Sequence, residues 1–150
     1  MDIITAVRSV YSKYATFSGR ASRSEYWYFF LFTIIAGGAL GAIDSTLSSA
    51  FSIANIVPNL AVAVRRLHDT NRSGKLIIGL ILAEVVLFVA VVVGFVAAVI
   101  GGSVLNETLA GRGGVLMLVG FALFLVLGIY WIYLLAKRGD VGANRYGDPV

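Results

Sequence analysis

A short polar stretch between two apolar runs holds the residues best suited to chemistry. It reads Arg65-Arg66-Leu67-His68-Asp69, and on a helix both arginines would lie within one turn of Asp69. His68 titrates near neutral pH, so His68 and Asp69 could act as an acid–base pair. No nucleophile or metal ligand stands beside them in the sequence, which favours a hydrogen-bonded structural corner. We therefore predict no catalytic residue and keep a membrane enzyme using His68 and Asp69 as the third functional hypothesis.

A second polar cluster, from Arg20 to Glu25, precedes the first apolar run. Ser22 or Ser24 could cap a helix that begins here, with Glu25 in its first turn, where a carboxylate suits the helix dipole. In the functional interpretation, Arg20 and Arg23 hold lipid phosphates or another anionic ligand. In the structural interpretation, the same residues only set membrane topology and cap the helix.

An acidic residue, Glu84, lies inside an otherwise apolar run. A carboxylate within a membrane is costly and usually faces the bundle interior or a cavity. It could be protonated, or paired with Asn55 or Asn59. These three intramembrane polar residues could serve transport or proton movement, or form a structural hydrogen bond between helices.

The composition indicates a membrane protein. Hydrophobic residues make up 59% of the 150 residues and charged residues only 13%, whereas soluble domains carry about 25% charged residues. The absence of Cys and the single His exclude disulfides and Cys/His metal clusters, so we expect no metal and no cofactor. The net charge of +4 is explained by membrane topology, and we expect no nucleic-acid partner.

Four apolar runs must position these polar groups. They predict transmembrane helices at about 26–43, 47–64, 76–100 and 115–136, with an outer loop at 101–114. Because of Pro58 and several polar residues, a soluble loop is the alternative to the second span, but without this span the Arg65 cluster would face outward. Pro58 also removes one helical hydrogen bond. The predicted fold is all-α: a cytoplasmic segment (1–24), a four-helix transmembrane bundle (25–136) and a cytoplasmic tail (137–150).

The N-terminal segment has the pattern of an amphipathic helix. Its apolar residues recur at intervals of three and four: Ile3, Ile4, Val7, Val10, Tyr11, Tyr14 and Phe17. We expect an interfacial helix in the headgroup region, with a helix packed beneath the bundle as the alternative.

The distribution of Lys and Arg predicts the orientation. Eleven of the twelve lie before the first span, between the second and third, or after the fourth, and only Arg112 lies elsewhere. The positive-inside rule then places both termini in the cytoplasm.

This topology brings three polar clusters to one membrane face: 20–25, 65–69 and 144–148. Their cations outnumber their anions by two, with Arg20, Arg23, Arg65, Arg66 and Arg145 against Glu25, Asp69 and Asp148. We expect Glu25 to pair with Arg65 or Arg66, since the first two spans should be neighbours. The candidate binding residues are Arg20, Arg23, Glu25, Arg65, Arg66, His68, Asp69, Asn144, Arg145 and Tyr146.

The clusters together resemble a known family. The pattern Gly-Arg-x-x-Arg-x-Glu-Tyr-Trp before the first span, the stretch Arg-Arg-Leu-His-Asp-x-x-x-Ser-Gly, and the ending Gly142-x-Asn144-x-Tyr146-Gly147 are similar to the domain of unknown function 805. Lys75 departs from the family pattern, which often has an aromatic residue there. The resemblance implies a small bacterial inner-membrane protein of four spans and supplies no reaction.

Three functional hypotheses follow. The first is a non-enzymatic inner-membrane protein whose cytoplasmic polar face binds anionic lipid or a partner protein. The alternative is a small transporter or channel subunit using Glu84, and the third is the enzyme described above. The spacing of Gly37 and Gly41 permits close helix packing and allows a homo-oligomer.

Overall fold

The computed structural model describes residues 1–150 and is helical, with five helices and no named strand. The helices are α1 (Ile3–Ser12), α2 (Arg23–Ile43), α3 (Ser45–Asp69), α4 (Lys75–Ser103) and α5 (Glu107–Ala136). Each of α2 to α5 is long and apolar enough to cross a membrane. The prediction of an all-α fold with four membrane spans is therefore confirmed.

Two compact units make up the chain. The first unit comprises Met1–Gly74 and Leu135–Val150, and the second unit comprises Lys75–Leu134. The polar clusters of residues 20–25, 65–69 and 144–148 all belong to the first unit. Glu84 belongs to the second.

The predicted outer loop at 101–114 is wrong, because α4 continues to Ser103 and α5 begins at Glu107. Two of the five glycines in this stretch, Gly101 and Gly113, lie instead where the two helices touch, as does Gly94 within α4. A Cβ on Gly94 would lie 2.5 Å from the backbone nitrogen of Met117, and a Cβ on Gly113 would overlap the backbone of Ala98. Glycine is used here because it lets two helix backbones approach closely.

A single residue, Asp44, separates α2 from α3. Its backbone N–H donates to Leu40 at the end of α2, and its carboxylate accepts from the backbone N–H groups of Thr46 and Leu47 at the start of α3. An aspartate N-cap satisfies N–H groups that have no partner within the helix. The connection between the first two predicted spans, 26–43 and 47–64, is therefore a single residue.

Gly37 and Gly41 face α3 of the same chain. Ser48 Oγ donates to the Gly37 carbonyl at 3.0 Å, and a Cβ on Gly41 would lie 3.4 Å from Ser48 Oγ. The two glycines thus allow close packing of α2 against α3.

Helix α1 packs in the first unit through Ala6 and Val10, which are fully buried. Ile3 and Ile4 on the same helix remain exposed. The helix therefore has both an apolar contact with the protein and an apolar surface outside it. Its placement in the lipid headgroups stays a prediction.

Two tyrosines connect α1 to the proline-containing part of α3. Pro58 lies within α3 and has no N–H, so it cannot bond the carbonyl of Ala54 one turn earlier. Tyr14, just after α1, donates its hydroxyl to that carbonyl. Tyr11 donates to Asn55 Oδ1 at 2.8 Å, and burial raises the pKa of the Tyr11 hydroxyl, which keeps it protonated as a donor. The proline thus creates an acceptor that the N-terminal segment uses.

Candidate functional site

The last residue of α3, Asp69, is 6% exposed and lies between two arginines. Arg20 Nε and Nη2 both lie 2.8 Å from Asp69 Oδ1, and Arg66 Nη1 pairs with Oδ2. A carboxylate at the C-terminal end of a helix is disfavoured by the helix dipole, and burial adds a desolvation cost. The two guanidinium groups offset both.

Arg20 uses its remaining donors to hold the C-terminal tail. Nη1 donates to the carbonyls of Gly142 at 2.8 Å and Gly147 at 3.3 Å, while Nη2 donates to the carbonyl of Asp140. The tail has no helix, and its backbone pairs only through a bridge between Asn144 and Gly147 and one bond from Asp140 N–H to the carbonyl of Asp69. Arg20 therefore supplies hydrogen bonds that the tail backbone would lack by itself.

Arg66 is fully buried and acts in the same way at the end of α5. Nε donates to the carbonyl of Leu135 at 2.9 Å, and Nη2 donates to the carbonyl of Lys137. Helix ends leave carbonyls without partners, and a buried guanidinium group can satisfy several of them from one side chain. Arg66 thus joins the end of α3 to the end of α5.

Arg65 contacts the segment that follows α1. Nη1 donates to the carbonyls of Lys13 and Thr16, and Nη2 lies 3.6 Å from Glu25 Oε1. Both Arg65 and Glu25 are 1% exposed, and Ser9 Oγ donates to the same Glu25 oxygen at 3.0 Å. The predicted pairing of Glu25 with Arg65 or Arg66 is confirmed, with Arg65 as the partner.

His68 is held by three groups of the first unit. Its ring stacks on Tyr146, with centroids 3.7 Å apart and planes 4° from parallel, and Nδ1 lies 3.1 Å from the carbonyl of Gly19. A carbonyl only accepts, so Nδ1 carries the proton. The backbone carbonyl of His68 accepts from Asn144 Nδ2 at 3.0 Å. His68 therefore anchors the tail, and its side chain is not hydrogen-bonded to Asp69.

Arg145 and Tyr146 of the tail also contact each other and the end of the first unit's α3 segment. Arg145 Nη2 donates to the carbonyl of Asn71 at 2.8 Å, and its guanidinium group lies 4.8 Å from the centre of the Tyr146 ring. The structure thus brings 20–25, 65–69 and 144–147 together, as the topology predicts. It also shows that most of their arginines serve the fold, because Arg20, Arg65 and Arg66 are buried, in line with the structural corner favoured for residues 65–69.

A polar cavity of about 460 Å³ opens beside this network. It is lined by Arg20, Ser22, Arg23, Ser24, Asp69, Arg138, Gly139, Asp140 and Val150. Arg23 and Arg138 are exposed and form no ion pair or hydrogen bond. Of its two aspartates, Asp69 is neutralised by two arginines, whereas Asp140 keeps its charge and accepts from Asn144. Three lining arginine side chains thus face two lining aspartate side chains. The cavity therefore presents free positive charge.

Arg138 is the one basic lining residue that the sequence does not mark as a candidate for binding. From the sequence, Arg138 contributes only to the charge count that predicts the orientation. The tail has no periodicity from which the neighbours of Arg138 could be predicted. Asp140 N–H donates to the carbonyl of Asp69 at 2.8 Å, and this bond fixes Arg138 near α2 and α3. No sequence pattern signals that bond.

The three intramembrane polar residues differ in their surroundings. The side-chain amides of Asn55 and Asn59 donate within α3, to the carbonyls of Phe51 and Asn55. Glu84 Oε2 in α4 is buried and has no hydrogen-bond partner.

Gly139 should be essential for docking the tail, because a Cβ there would overlap the carboxylate of Asp69. We expect Gly139→Ala to cost about 1–3 kcal/mol of unfolding free energy and to expose the tail to protease. Gly142→Ala is the matched control, since a Cβ on Gly142 would meet nothing within 4 Å. Thermal unfolding and limited proteolysis in detergent measure both effects. Equal stability and equal protection of the two variants would contradict the close approach of Gly139 to Asp69.

Comparison with known proteins places this arrangement in a family. A family model described as "Protein of unknown function (DUF805)" matches residues 14–148. "Inner membrane protein YhaI" of Escherichia coli (strain K12) is 45% identical over 73 residues, which cover 44% of this chain and 62% of that protein. "Inner membrane protein YhaH" of the same strain is 40% identical over 75 residues, covering 43% of this chain and 62% of that protein.

The matched part therefore spans less than two thirds of either relative. No solved structure matches the chain. The names of both relatives state a membrane location and no activity, and that location agrees with the four helices able to span a membrane. Because the family model covers nearly the whole chain, including all three polar clusters, the protein belongs to the DUF805 family.

Proposed function

We propose that this protein is a non-enzymatic inner-membrane protein that binds the phosphate of an anionic lipid in the cavity between Arg23 and Arg138. The observation that carries the proposal is a polar cavity with two exposed arginines that lack any partner of their own. Guanidinium groups bind phosphate oxygens through paired N–H donors. The hydroxyls of Ser22 and Ser24, 3.0 Å apart on the cavity wall, add further hydrogen-bonding groups.

A lipid suits this position better than a free anion. Arg23 is the first residue of α2, and the aromatic residues Trp27 and Tyr28 follow within about one turn. Trp and Tyr favour the headgroup level of a bilayer, so a phosphate at that depth lies beside Arg23. The start of a helix also favours an anion through its dipole. An anchored lipid thus meets the cavity where α2 enters the membrane.

The buried arginines support this assignment by exclusion. Arg20, Arg65 and Arg66 have their guanidinium groups committed to carbonyls or carboxylates of the first unit. Withdrawing them to bind a lipid would leave Asp69 or Glu25 buried without compensation, which is strongly destabilising. Arg23 and Arg138 are therefore the arginines of the cavity that can bind the lipid phosphate.

The lipid proposal is tested by native mass spectrometry of the chain purified in mild detergent. We expect retention of phosphatidylglycerol over zwitterionic phosphatidylethanolamine, and no displacement by inorganic phosphate. The double variant Arg23→Gln/Arg138→Gln should lose this preference, because each basic residue near a lipid surface contributes about 1 kcal/mol. Arg8→Gln with Arg112→Gln is the matched control, since it removes the same charge elsewhere. Retention unchanged by Arg23→Gln/Arg138→Gln would sink the proposal.

The proposed orientation places both termini, and the cavity with them, in the cytoplasm. The support is the distribution of Lys and Arg between the two sides of the membrane. Eleven of the twelve lie before the first span, between the second and third, or after the fourth, and only Arg112, near the start of α5, lies on the other side. A reporter fused after Val150 should read cytoplasmic, and one inserted at Asn106, between α4 and α5, should read external. A cytoplasmic Asn106 reporter would rule out this topology.

A further inference from the structure

A second cavity lies within the second unit, between α4 and α5, and has a different chemistry. Its volume is about 380 Å³, within the usual range of small-molecule sites. It is lined by Leu80, Ile81, Glu84, Val85, Phe88, Phe124, Gly128 and Trp131. The lining is apolar except for one acidic residue, and both helices are long and apolar enough to span a membrane.

The carboxylate of Glu84 has no internal compensation in this cavity. Oε2 is buried and lacks a hydrogen-bond partner. Glu84 lies nine residues after Lys75, so it is about 13 Å along α4. A buried polar group without a partner is costly, and intramembrane acidic residues commonly mark binding or transport pathways.

Gly128 keeps the space in front of this carboxylate open. A Cβ on Gly128 would lie 3.9 Å from Glu84 Oε1, so any larger side chain on α5 would reach toward the carboxylate. The absence of a side chain there leaves room for a ligand to contact the acidic group.

The lining selects the charge and polarity of that ligand. An anion would be repelled by an ionised Glu84, and a lipid tail would leave the carboxylate buried without a partner. A cation with apolar substituents satisfies both parts of the wall. Phe88, Phe124 and Trp131 provide aromatic rings of the kind that bind organic cations over their faces.

We propose that the Glu84 cavity binds a lipophilic organic cation, with its positive centre beside the Glu84 carboxylate and its apolar substituents against Phe88, Phe124 and Trp131. This site goes beyond the proposed lipid site, because it lies in the second unit and takes a ligand of opposite charge.

The test uses the full chain in detergent and tetraphenylphosphonium as the probe. Trp27→Phe leaves Trp131 as the single tryptophan, so quenching of its fluorescence reports directly on the cavity. We expect saturable quenching, weakened about tenfold or more by Glu84→Gln. Glu107→Gln is the matched control, because it removes an equal charge from the exposed first turn of α5, and it should bind as the parent does.

Two further measurements separate this site from a general apolar groove. Triphenylphosphine oxide has similar aromatic bulk without the charge and should bind at least about tenfold more weakly. Gly128→Val keeps the carboxylate but fills the space before it and should abolish quenching, which also decides the matter if Glu84→Gln fails to fold. The proposal is overturned if the parent shows no saturable quenching, if the neutral probe binds equally well, or if Gly128→Val binds as tightly as the parent.

Discussion

The burial of one carboxylate, Asp69, between two arginines is the interaction on which the first unit depends. Asp69 ends α3, Arg20 precedes α2, and Arg66 lies one turn earlier on α3. Neither guanidinium group could be buried without this counter-charge, because desolvating an unpaired ion costs several kcal/mol. Once buried, both arginines have spare N–H groups directed at backbone carbonyls. The ion pair therefore makes possible the hydrogen bonds that fold an otherwise irregular tail.

This constraint divides the positive charge of the first unit into two roles. Arg20, Arg65 and Arg66 are buried and hold segments distant in sequence, such as residues 13–16, 135–137 and 140–147. Arg23, at the start of α2, and Arg138, between two of these held segments, stay exposed at the cavity. The buried arginines thus act as positioning residues for the exposed ones, and the proposed lipid site exists only while the tail is docked.

Much of the fold follows from residue patterns, because lipid solvent imposes strong rules on a chain of this composition. Apolar run length predicts α2 to α5, and the short connection at Asp44 predicts that Glu25 can reach Arg65. Pro58 predicts a missing hydrogen bond, but the pattern does not reveal that Tyr14 would supply a donor to the freed carbonyl of Ala54. The predicted end of α4 and the predicted start of α5 are wrong, because glycines such as Gly101 and Gly113 are as typical of a loop as of a close contact between helices.

The candidate site is less accessible from sequence, since its contacts join segments far apart in the chain. The three clusters can be placed at one membrane face by counting spans, and their meeting is confirmed by the contacts of Arg20 and Asn144. The sequence does not tell which arginines are buried, because they bind backbone carbonyls, and every residue has one. The stacking of His68 on Tyr146 is hidden for a similar reason, as the tail has no periodicity to set its register.

The Asp69 ion pair, and not apolar contact alone, holds the tail against α2 and α3. A double-mutant cycle with Arg20→Gln and Asp69→Asn, scored by unfolding free energy in detergent, measures it most directly. We expect a coupling energy of about 1–3 kcal/mol, because Arg20→Gln removes an ion pair only while the Asp69 carboxylate is present. Losing the carboxylate affects Arg66 equally with and without Arg20→Gln, so that cost cancels in the cycle. Single effects that add to within about 0.5 kcal/mol would contradict it.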